Sequence, residues 1–261
     1  MAIEIKKPSV FKASRKKVSS EMSFNFQSIG TVESSYKERF GTPRQPGLVP
    51  LSRAKILIRP EFQGALEGLE SFSHLWIIFV FHQNTNKSIK NKIHPPRMNG
   101  EKIGVFASRS PHRPNPIGLS GVKLLKITDN ELLVGGVDFI EGTPILDIKP
   151  YVPSFDAISE ANEGWLETKP LQRISVEFEE LALSKIANYA ERSKYHSSDA
   201  LKELIQTSLE LDPRPNFYKG SLANPDPYMS EYGFCLEDFN VVFQMRNGIA
   251  FVTDLVLDFR K

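Results

Sequence analysis

The chain has 261 residues, 40% of them hydrophobic and 25% charged, with a formal net charge of +2 at pH 7. This composition is ordinary for a globular protein of one large domain or two modest ones. The single cysteine excludes an internal disulfide framework and favours a cytoplasmic location, and the longest apolar run, Leu75 to Phe81, is too short to span a bilayer.

The beginning of the chain is basic. The first twenty residues contain six Lys or Arg and one Glu, and they lack the apolar core of a secretory signal. We therefore predict a flexible basic tail over residues 1–22, with an organelle-targeting peptide as the alternative.

Residues 23–155 are rich in β patterns. Strands are predicted near Phe26 to Val32 and at Ala54 to Ile58, Ser73 to Phe81, Ile103 to Ala107, Gly121 to Ile127 and Glu131 to Ile140. Both alternating faces of the Ser73 to Phe81 strand are apolar, which predicts that the strand is buried on both sides. Close spacing of short strands favours a barrel or a strongly curled sheet. The chain has neither a Walker A loop nor a Gly-x-Gly-x-x-Gly turn, which argues against a Rossmann fold.

The second half of the chain has a different character. A polar linker over 153–168 precedes a region, residues 168–261, for which we predict a smaller α+β domain. Its expected elements are a strand at Gln172 to Phe178, helices at Glu179 to Ser193 and Ser198 to Leu211, and a hairpin of Phe239 to Met245 with Ile249 to Phe259. Ser198 is the predicted N-cap of the second helix, and Asn247-Gly248 is a typical hairpin turn.

The most informative segment is Phe106 to Gly118, which carries Arg109, His112 and Arg113 among three prolines. Proline excludes a helix interior or a central strand, and it stiffens the backbone. An arginine on a stiff loop loses less entropy when it binds an anion or a polar cofactor. A binding loop is therefore favoured over an ordinary surface turn.

Four further segments allow two interpretations each. Thr42 to Leu48 is a ligand clamp or a long turn, and His82-Gln83, at a strand end, faces a pocket or is structural. The glycines of Gly135 to Asp138 indicate close backbone approach to a ligand, or a β-bulge. Asp147 and Lys149 are candidates for a site or simply for a mutual ion pair.

The window Asn84 to Asn115 contains seven Lys or Arg and one acidic residue, while the chain beyond residue 20 has 27 basic and 30 acidic residues. Such a basic surface on an acidic body suits a phosphate backbone, although a solvated lysine loop is the alternative. The five histidines lack the spacing of a zinc site, so no metal is expected.

Several of these motifs together resemble the TsaA-like (TrmO) family of tRNA methyltransferases, over nearly everything from Ser23 to the C-terminus. The resemblance rests on these segments: Gly104 to Asn115, Pro43 to Leu48, Phe81 to Gln83, Gly142 to Pro144, Asp147 to Tyr151, Asp212 to Pro215 and Asp238 to Val241.

The resemblance implies a non-Rossmann methyltransferase on a β-barrel that uses S-adenosyl-L-methionine. It implies methylation of N6 of threonylcarbamoyl-adenosine at position 37 of tRNA, chiefly threonine tRNA, by a homodimer. The cofactor contacts implied by the family are Pro46, Gly47, Leu48, His82, Gln83, Arg109, Leu119, Gly135, Gly136, Val137 and Asp138. Contacts to tRNA are expected from Arg44, Arg113, Arg214 and Tyr218.

For catalysis we single out Asp138 and Arg109. Asp138 fixes the cofactor's ammonium group or accepts a proton from N6, and the sequence does not separate these roles. Arg109 is expected to position cofactor or substrate electrostatically. The competing interpretations are a non-catalytic RNA-binding module and a methyltransferase with another substrate.

Overall fold

The computed structural model describes residues 22–84, 90–98, 100–214, 218–219 and 231–258. The predicted basic tail lies outside the described residues except for Met22, as does Lys87 of the basic window. No helix in the described ranges is long and apolar enough to cross a membrane.

The first part of the chain forms the predicted barrel. The barrel strands are β1 (Gly30–Ser34), β2 (Arg53–Ile58), β3 (His74–Val80), β6 (Ile117–Thr128), β7 (Glu131–Gly135) and β8 (Pro144–Pro150). Between β3 and β6 the chain forms a separate two-stranded sheet of β4 (Lys92–Ile93) and β5 (Ile103–Gly104). The barrel closes in the order β1-β2-β7-β6-β3-β8, with every neighbouring pair antiparallel.

Alternating burial fills the barrel. In β1 every second residue is buried, and in β3 the side chains of Leu75, Ile77 and Phe79 point into the core. The prediction that β3 is buried on both faces was wrong, because Trp76 and Ile78 on its other face are only half-buried. A closed barrel has one interior, so a strand that looks apolar throughout still has one face outside it.

Several barrel boundaries differ from the predicted ones. β6 begins at Ile117, directly after the proline-rich loop, and β7 ends at Gly135 instead of reaching Ile140. β8 was not predicted, since prolines begin and end it, and its Asp147 and Lys149 pair with each other at 2.7 Å.

The second part of the chain contains helices and a four-stranded sheet. After α1 (Pro153–Asp156) come β9 (Val176–Phe178), α2 (Glu180–Tyr189), α3 (Ser198–Leu209), β10 (Glu231–Leu236), β11 (Phe239–Arg246) and β12 (Ile249–Leu257). The sheet order is β10-β11-β12-β9, and β9 pairs parallel with β12. The predicted α+β region and its hairpin are therefore confirmed.

The predicted N-cap of α3 was wrong by one residue. Ser197, not Ser198, is the N-cap, and its hydroxyl accepts a hydrogen bond from the backbone N–H of Ala200. Ser197 has an extended backbone, as an N-cap requires, whereas Ser198 is already helical.

The two parts share a continuous core. The hydroxyls of buried Tyr36 and Ser208 lie 3.3 Å apart, and the Tyr195 hydroxyl donates to the Leu51 carbonyl at 2.6 Å. These contacts hold the β1–β2 loop against the C-terminal helices, which fixes one side of the site described below.

Candidate active site

Three loops meet at one end of the barrel. Because neighbouring strands are antiparallel, the β1–β2, β3–β6 and β7–β8 connections leave the barrel on the same side. The register shows this directly, since Arg53 pairs with Gly135 and Val80 with Ile117 at that edge. One mouth of the barrel therefore carries the predicted positions Pro46 to Leu48, His82-Gln83, Arg109 and Gly136 to Asp138.

Two glycines bring the first and third loops into contact. The N–H of Gly47 donates to the carbonyl of Gly136 at 2.8 Å, and the N–H of Gly136 donates to the carbonyl of Ser52 at 2.8 Å. Both glycines have positive φ, 76° and 69°, which side chains rarely adopt. A methyl group on Gly136 would lie 3.5 Å from Gly47, whereas one on Gly47 would meet nothing within 4 Å. The Cα of Gly47 therefore faces open space.

Asp138 follows these glycines and lies largely inside the mouth. The Ser120 hydroxyl, 1% exposed on the inner face of β6, donates to Oδ1 of Asp138 at 2.6 Å. Burial raises the pKa of Asp138 to about 6, while the Ser120 hydrogen bond and the charge of Arg109 act in the opposite direction. The carboxyl group is thus poised to exchange a proton near neutral pH.

Arg109 connects two of the loops. Its Nη1 donates to the Oε1 of Gln45 at 2.7 Å, so the proline-rich loop is tied to the loop that carries Gly47. The guanidinium is exposed at the mouth, and its charge acts on Asp138.

His82 and Gln83 lie at the end of β3, beside the β7–β8 loop. The imidazole Nε2 of exposed His82 lies 4.0 Å from the position that a Cβ on Gly142 would take. Arg39 donates to the backbone carbonyl of Gln83, and the side chain of Asn84 donates to the Pro111 carbonyl at 2.7 Å. Arg39 and Asn84 were not predicted, and only the folded register places them here.

Other predicted residues lie less centrally. Leu119 is 54% exposed on the outer face of β6, opposite in direction to Ser120. Pro46 and Leu48 are half-buried beside Gly47. Val137 is fully buried, and its backbone N–H donates to the Ser52 hydroxyl oxygen at 2.8 Å. Arg113 donates to carbonyls of its own loop, those of Ser108 at 3.2 Å and Ser110 at 3.4 Å.

The predicted tRNA contacts in the C-terminal region form a compact cluster. Arg214 is 3% exposed, and its Nε donates to Oδ1 of Asp212 at 2.9 Å. Lys219 lies 3.2 Å from the other oxygen of Asp212. Burial would raise the pKa of Asp212, but these cations outweigh it and lower the pKa. Tyr218 is 38% exposed at the edge of the cluster, so Arg214 faces Asp212 and not the solvent.

The segment after α1 contacts two of the three loops. The indole Nε1 of Trp165 donates to the Ala107 carbonyl at 2.9 Å, two residues before Arg109. Arg173 donates to the Leu48 carbonyl at 3.1 Å and pairs with Glu210 at 2.9 Å. Neither contact has a local signal in the sequence, because the partners of each are distant in the chain.

The basic window lies in the β3–β6 connection, which starts and ends at this mouth. Its cations within the described ranges, none of which forms an ion pair with another described residue, are Lys90, Lys92, Arg97, Lys102, Arg109 and Arg113. Burial lowers the pKa of His112 in the same loop, and the charges of Lys90 and Arg39 lower it further. The mouth therefore carries a positive field.

Comparisons with known proteins agree with this architecture. The family model of the tRNA-methyltransferase O N-terminal domain matches residues 31–157, and that of the TrmO C-terminal domain matches residues 171–258. The Escherichia coli tRNA (adenine(37)-N6)-methyltransferase is 38% identical over 233 residues, covering 87% of this chain and 95% of the relative.

Two further relatives extend the comparison. A Pyrococcus abyssi protein named as a probable S-adenosyl-L-methionine-binding protein is 42% identical over 142 residues, 54% of this chain and 76% of that protein. The crystal structure of TrmO from Pseudomonas aeruginosa superposes with a TM-score of 0.73 at 35% identity, covering 91% of this chain and 99% of that one. The chain belongs to the TrmO family of S-adenosylmethionine-dependent tRNA (adenine-N6)-methyltransferases.

Proposed function

We propose that this protein methylates N6 of threonylcarbamoyl-adenosine at position 37 of tRNA, chiefly threonine tRNA. The Escherichia coli relative, named as a tRNA (adenine(37)-N6)-methyltransferase, supports the adenine and its position. The observation that carries the proposal is the mouth itself, where a carboxyl group of pKa about 6 lies beside the Gly47–Gly136 contact inside a basic rim.

The residues at the mouth fit S-adenosyl-L-methionine. The open space at the Cα of Gly47 admits a ligand against the backbone. The Asp138 carboxylate suits a ribose hydroxyl or a cationic ammonium or sulfonium group. Pro46, Gly47, Leu48, His82, Gln83, Arg109 and Gly135 to Asp138 are the proposed cofactor contacts, with Leu119 at the outer rim. When bound, the cofactor supplies a methyl group activated on a sulfonium.

Asp138 is proposed to receive the N6 proton. A carbamoyl group withdraws electron density from N6, which weakens the nitrogen as a nucleophile and makes its N–H more acidic. A carboxylate whose pKa is raised to about 6 is a stronger base than an ordinary aspartate and is still mostly ionised at pH 7. Arg109 is proposed to hold the substrate or cofactor at the edge of the same mouth through its exposed guanidinium.

The basic rim is proposed to bind the tRNA backbone. Bases of an anticodon loop are unpaired, so a purine there reaches a pocket with little unpairing cost. The proposed contacts to tRNA remain Arg44, Arg113, Arg214 and Tyr218. Buried Arg214 is proposed to act through Tyr218, to whose carbonyl its Nη1 donates at 3.5 Å.

A homodimer is proposed from the apolar surface near the mouth. Phe106 is 78% exposed, and Ile117 and Leu119 are also exposed in the same part of the barrel. Large exposed apolar side chains beside a site are typical of a protein interface.

A tRNA substrate and the single free cysteine support a cytoplasmic location.

The test is methyl transfer to defined tRNA. Purified protein, cofactor and threonine tRNA with or without the threonylcarbamoyl group are incubated, and the nucleosides are analysed by mass. We expect a methyl gain on the modified nucleoside only. Retention of the cofactor in equilibrium dialysis without any transfer would favour another substrate, and absence of retention would favour a non-catalytic RNA-binding module.

A further inference from the structure

A second cleft lies at the seam between the barrel loops and the C-terminal region. It is small and partly open to solvent, with a cavity volume of about 30 Å³. Arg44 from the β1–β2 loop and Arg97 from the β3–β6 loop line it on the barrel side, and Leu171, Leu211 and Pro213 line it on the other. The cleft is therefore built by four segments that only the fold brings together.

Two arginines converge on this cleft without a matching acid of their own. Neither Arg44 nor Arg97 forms an ion pair with any residue that the structure describes. The acid whose charge acts on Arg44 is Asp212, which already pairs with Arg214 and Lys219. Like charges that converge are unfavourable unless an anion joins them, so the arrangement is suited to an anionic ligand.

The local electrostatics agree with that geometry. Arg44 is exposed at the cleft edge, but partial desolvation by the surrounding protein lowers its pKa. The charge of Asp212 raises this pKa, and the charge of Arg97 lowers it again. The second acid near the cleft, Glu210, is engaged by Arg173 at 2.9 Å. The cleft consequently carries an excess of positive charge next to apolar walls.

The position of the cleft indicates which anion it takes. Leu48 lines the cleft and also follows Gly47, so the cleft adjoins the mouth of the barrel. A polyanion whose reacting base enters the mouth would pass directly over the cleft. Apolar walls beside two guanidinium groups suit a ribose with its phosphate.

We propose that Arg44 and Arg97 form a subsite for one backbone phosphate of the tRNA, flanking the base that enters the mouth. This inference rests on the proposed function, because it takes tRNA as the substrate. It adds Arg97, which neither the motifs nor the family contacts single out, and it gives Arg44 a defined partner.

The experiment compares Arg97→Gln with wild type and with Lys126→Gln. Lys126 is an exposed cation near the far end of β6, so the control removes the same charge away from the cleft. The dissociation constant of threonylcarbamoyl-modified threonine tRNA is measured between about 50 and 300 mM salt. Thermal unfolding and cofactor retention are measured on each variant, to show that the fold and the mouth are intact.

For Arg97→Gln we expect the plot of the logarithm of the association constant against the logarithm of salt concentration to become shallower by about 1 in slope. Affinity at low salt should fall roughly tenfold, and Lys126→Gln should change neither quantity. Equal slopes for Arg97→Gln and Lys126→Gln would overturn the subsite. Arg44→Gln should reproduce the Arg97→Gln result if the pair acts together.

Two further readouts separate the sources of the anion and the two proposals. Titration of the protein with inorganic phosphate shows whether a free anion binds; saturable binding that Arg97→Gln removes, with an unchanged tRNA slope, would overturn the assignment to tRNA. If the wild-type protein does not methylate tRNA but its salt slope is still steeper than that of Arg97→Gln, the subsite is supported and the proposed function is refuted.

Discussion

The hydroxyl of Ser120 donates to Oδ1 of Asp138 across 2.6 Å, inside the mouth of the barrel. The two residues come from β6 and from the turn after β7, so the bond spans adjacent strands of the barrel. Burial raises the pKa of the carboxyl group and this bond lowers it, and their balance leaves a value of about 6.

Asp138→Asn should abolish most turnover and stabilise the fold at neutral pH. The folded pKa of about 6 exceeds the ordinary aspartate pKa of 3.8, so this group favours folding most below pH 4 and loses that contribution as pH rises through 6. An uncharged amide removes the cost of a buried charge, and we expect about 1–3 kcal/mol of added stability at pH 7. Thermal unfolding at pH 5 and pH 7.5 measures it, with the gain larger at pH 7.5.

The same variant separates the two roles of Asp138. Cofactor affinity near the wild-type value with at least a hundredfold lower turnover supports the proton acceptor. A large loss of cofactor affinity would instead assign Asp138 to the ammonium group.

Ser120→Ala should move the acidic limb of the activity profile upward. Loss of the hydrogen bond removes an interaction that favours the charged carboxylate, so the pKa of Asp138 rises further. A hydrogen bond of about 1 kcal/mol corresponds to a shift of roughly 0.5–1 pH unit in kcat/KM. An unmoved limb would show that another group controls the profile.

Gly47→Ala should lower the affinity for the cofactor, beyond what its modest cost in folding stability explains. Gly47 and Gly68 have similar positive φ values, 76° and 83°, and a methyl group on either meets no protein atom within 4 Å. Both alanine variants therefore carry a similar backbone penalty of roughly 1 kcal/mol. Gly68 lies in the β2–β3 connection at the opposite end of the barrel.

Equilibrium dialysis with the cofactor compares the two variants. We expect a loss of tenfold or more for Gly47→Ala, because the methyl group occupies the proposed ligand space, and near wild-type binding for Gly68→Ala. Equal affinities would remove Gly47 from the cofactor site.

Gly118→Ala tests the packing below the mouth. A Cβ at Gly118 would lie 2.2 Å from Cζ of Phe79, whose ring packs edge-on against Phe81 and Phe139 at centroid distances of 5.1 Å each. The ring has little room to move, so we expect a loss of about 1–3 kcal/mol. Denaturant unfolding measures it, with Gly104→Ala as the control because a methyl group there meets nothing within 4 Å.

The sequence predicted the parts of the molecule that local patterns encode. Alternating apolar residues identified β2 and β3, and Asn247-Gly248 identified the hairpin, since both residues adopt the positive φ of its turn. β8 was missed because prolines and a charged pair hide its alternation. A pattern read along one strand also does not show which face lies inside a closed barrel, hence the error on β3.

The candidate site divides in the same way. Arg109 and Asp138 lie within recognisable motifs, and the antiparallel connections bring those motifs to one mouth. Ser120 is one polar residue on a strand, and nothing local distinguishes it until the register places it beside Asp138. Arg39 and Trp165 bind backbone carbonyls of distant loops, and carbonyl acceptors leave no trace in the sequence.

Trp165→Phe should reduce activity through Arg109 while leaving the fold intact. The phenyl ring retains most of the packing, but the donor to the Ala107 carbonyl is lost, and Ala107 precedes Arg109 by two residues. A looser loop holds the Arg109 guanidinium less precisely, and we expect kcat/KM to fall by roughly three- to tenfold. Thermal unfolding should change little, because Trp165 is only half-buried.

A double-mutant cycle with Arg109→Ala decides whether Trp165 acts through Arg109. If it does, Trp165→Phe has no further effect on kcat/KM in the Arg109→Ala background, because the group that it positions is already gone. If the two losses multiply, Trp165 acts independently, for example by holding the 164–168 turn against the barrel. Arg173→Gln provides the comparison, since Arg173 binds the Leu48 carbonyl of the other loop, and its effect should persist fully when Arg109 is absent.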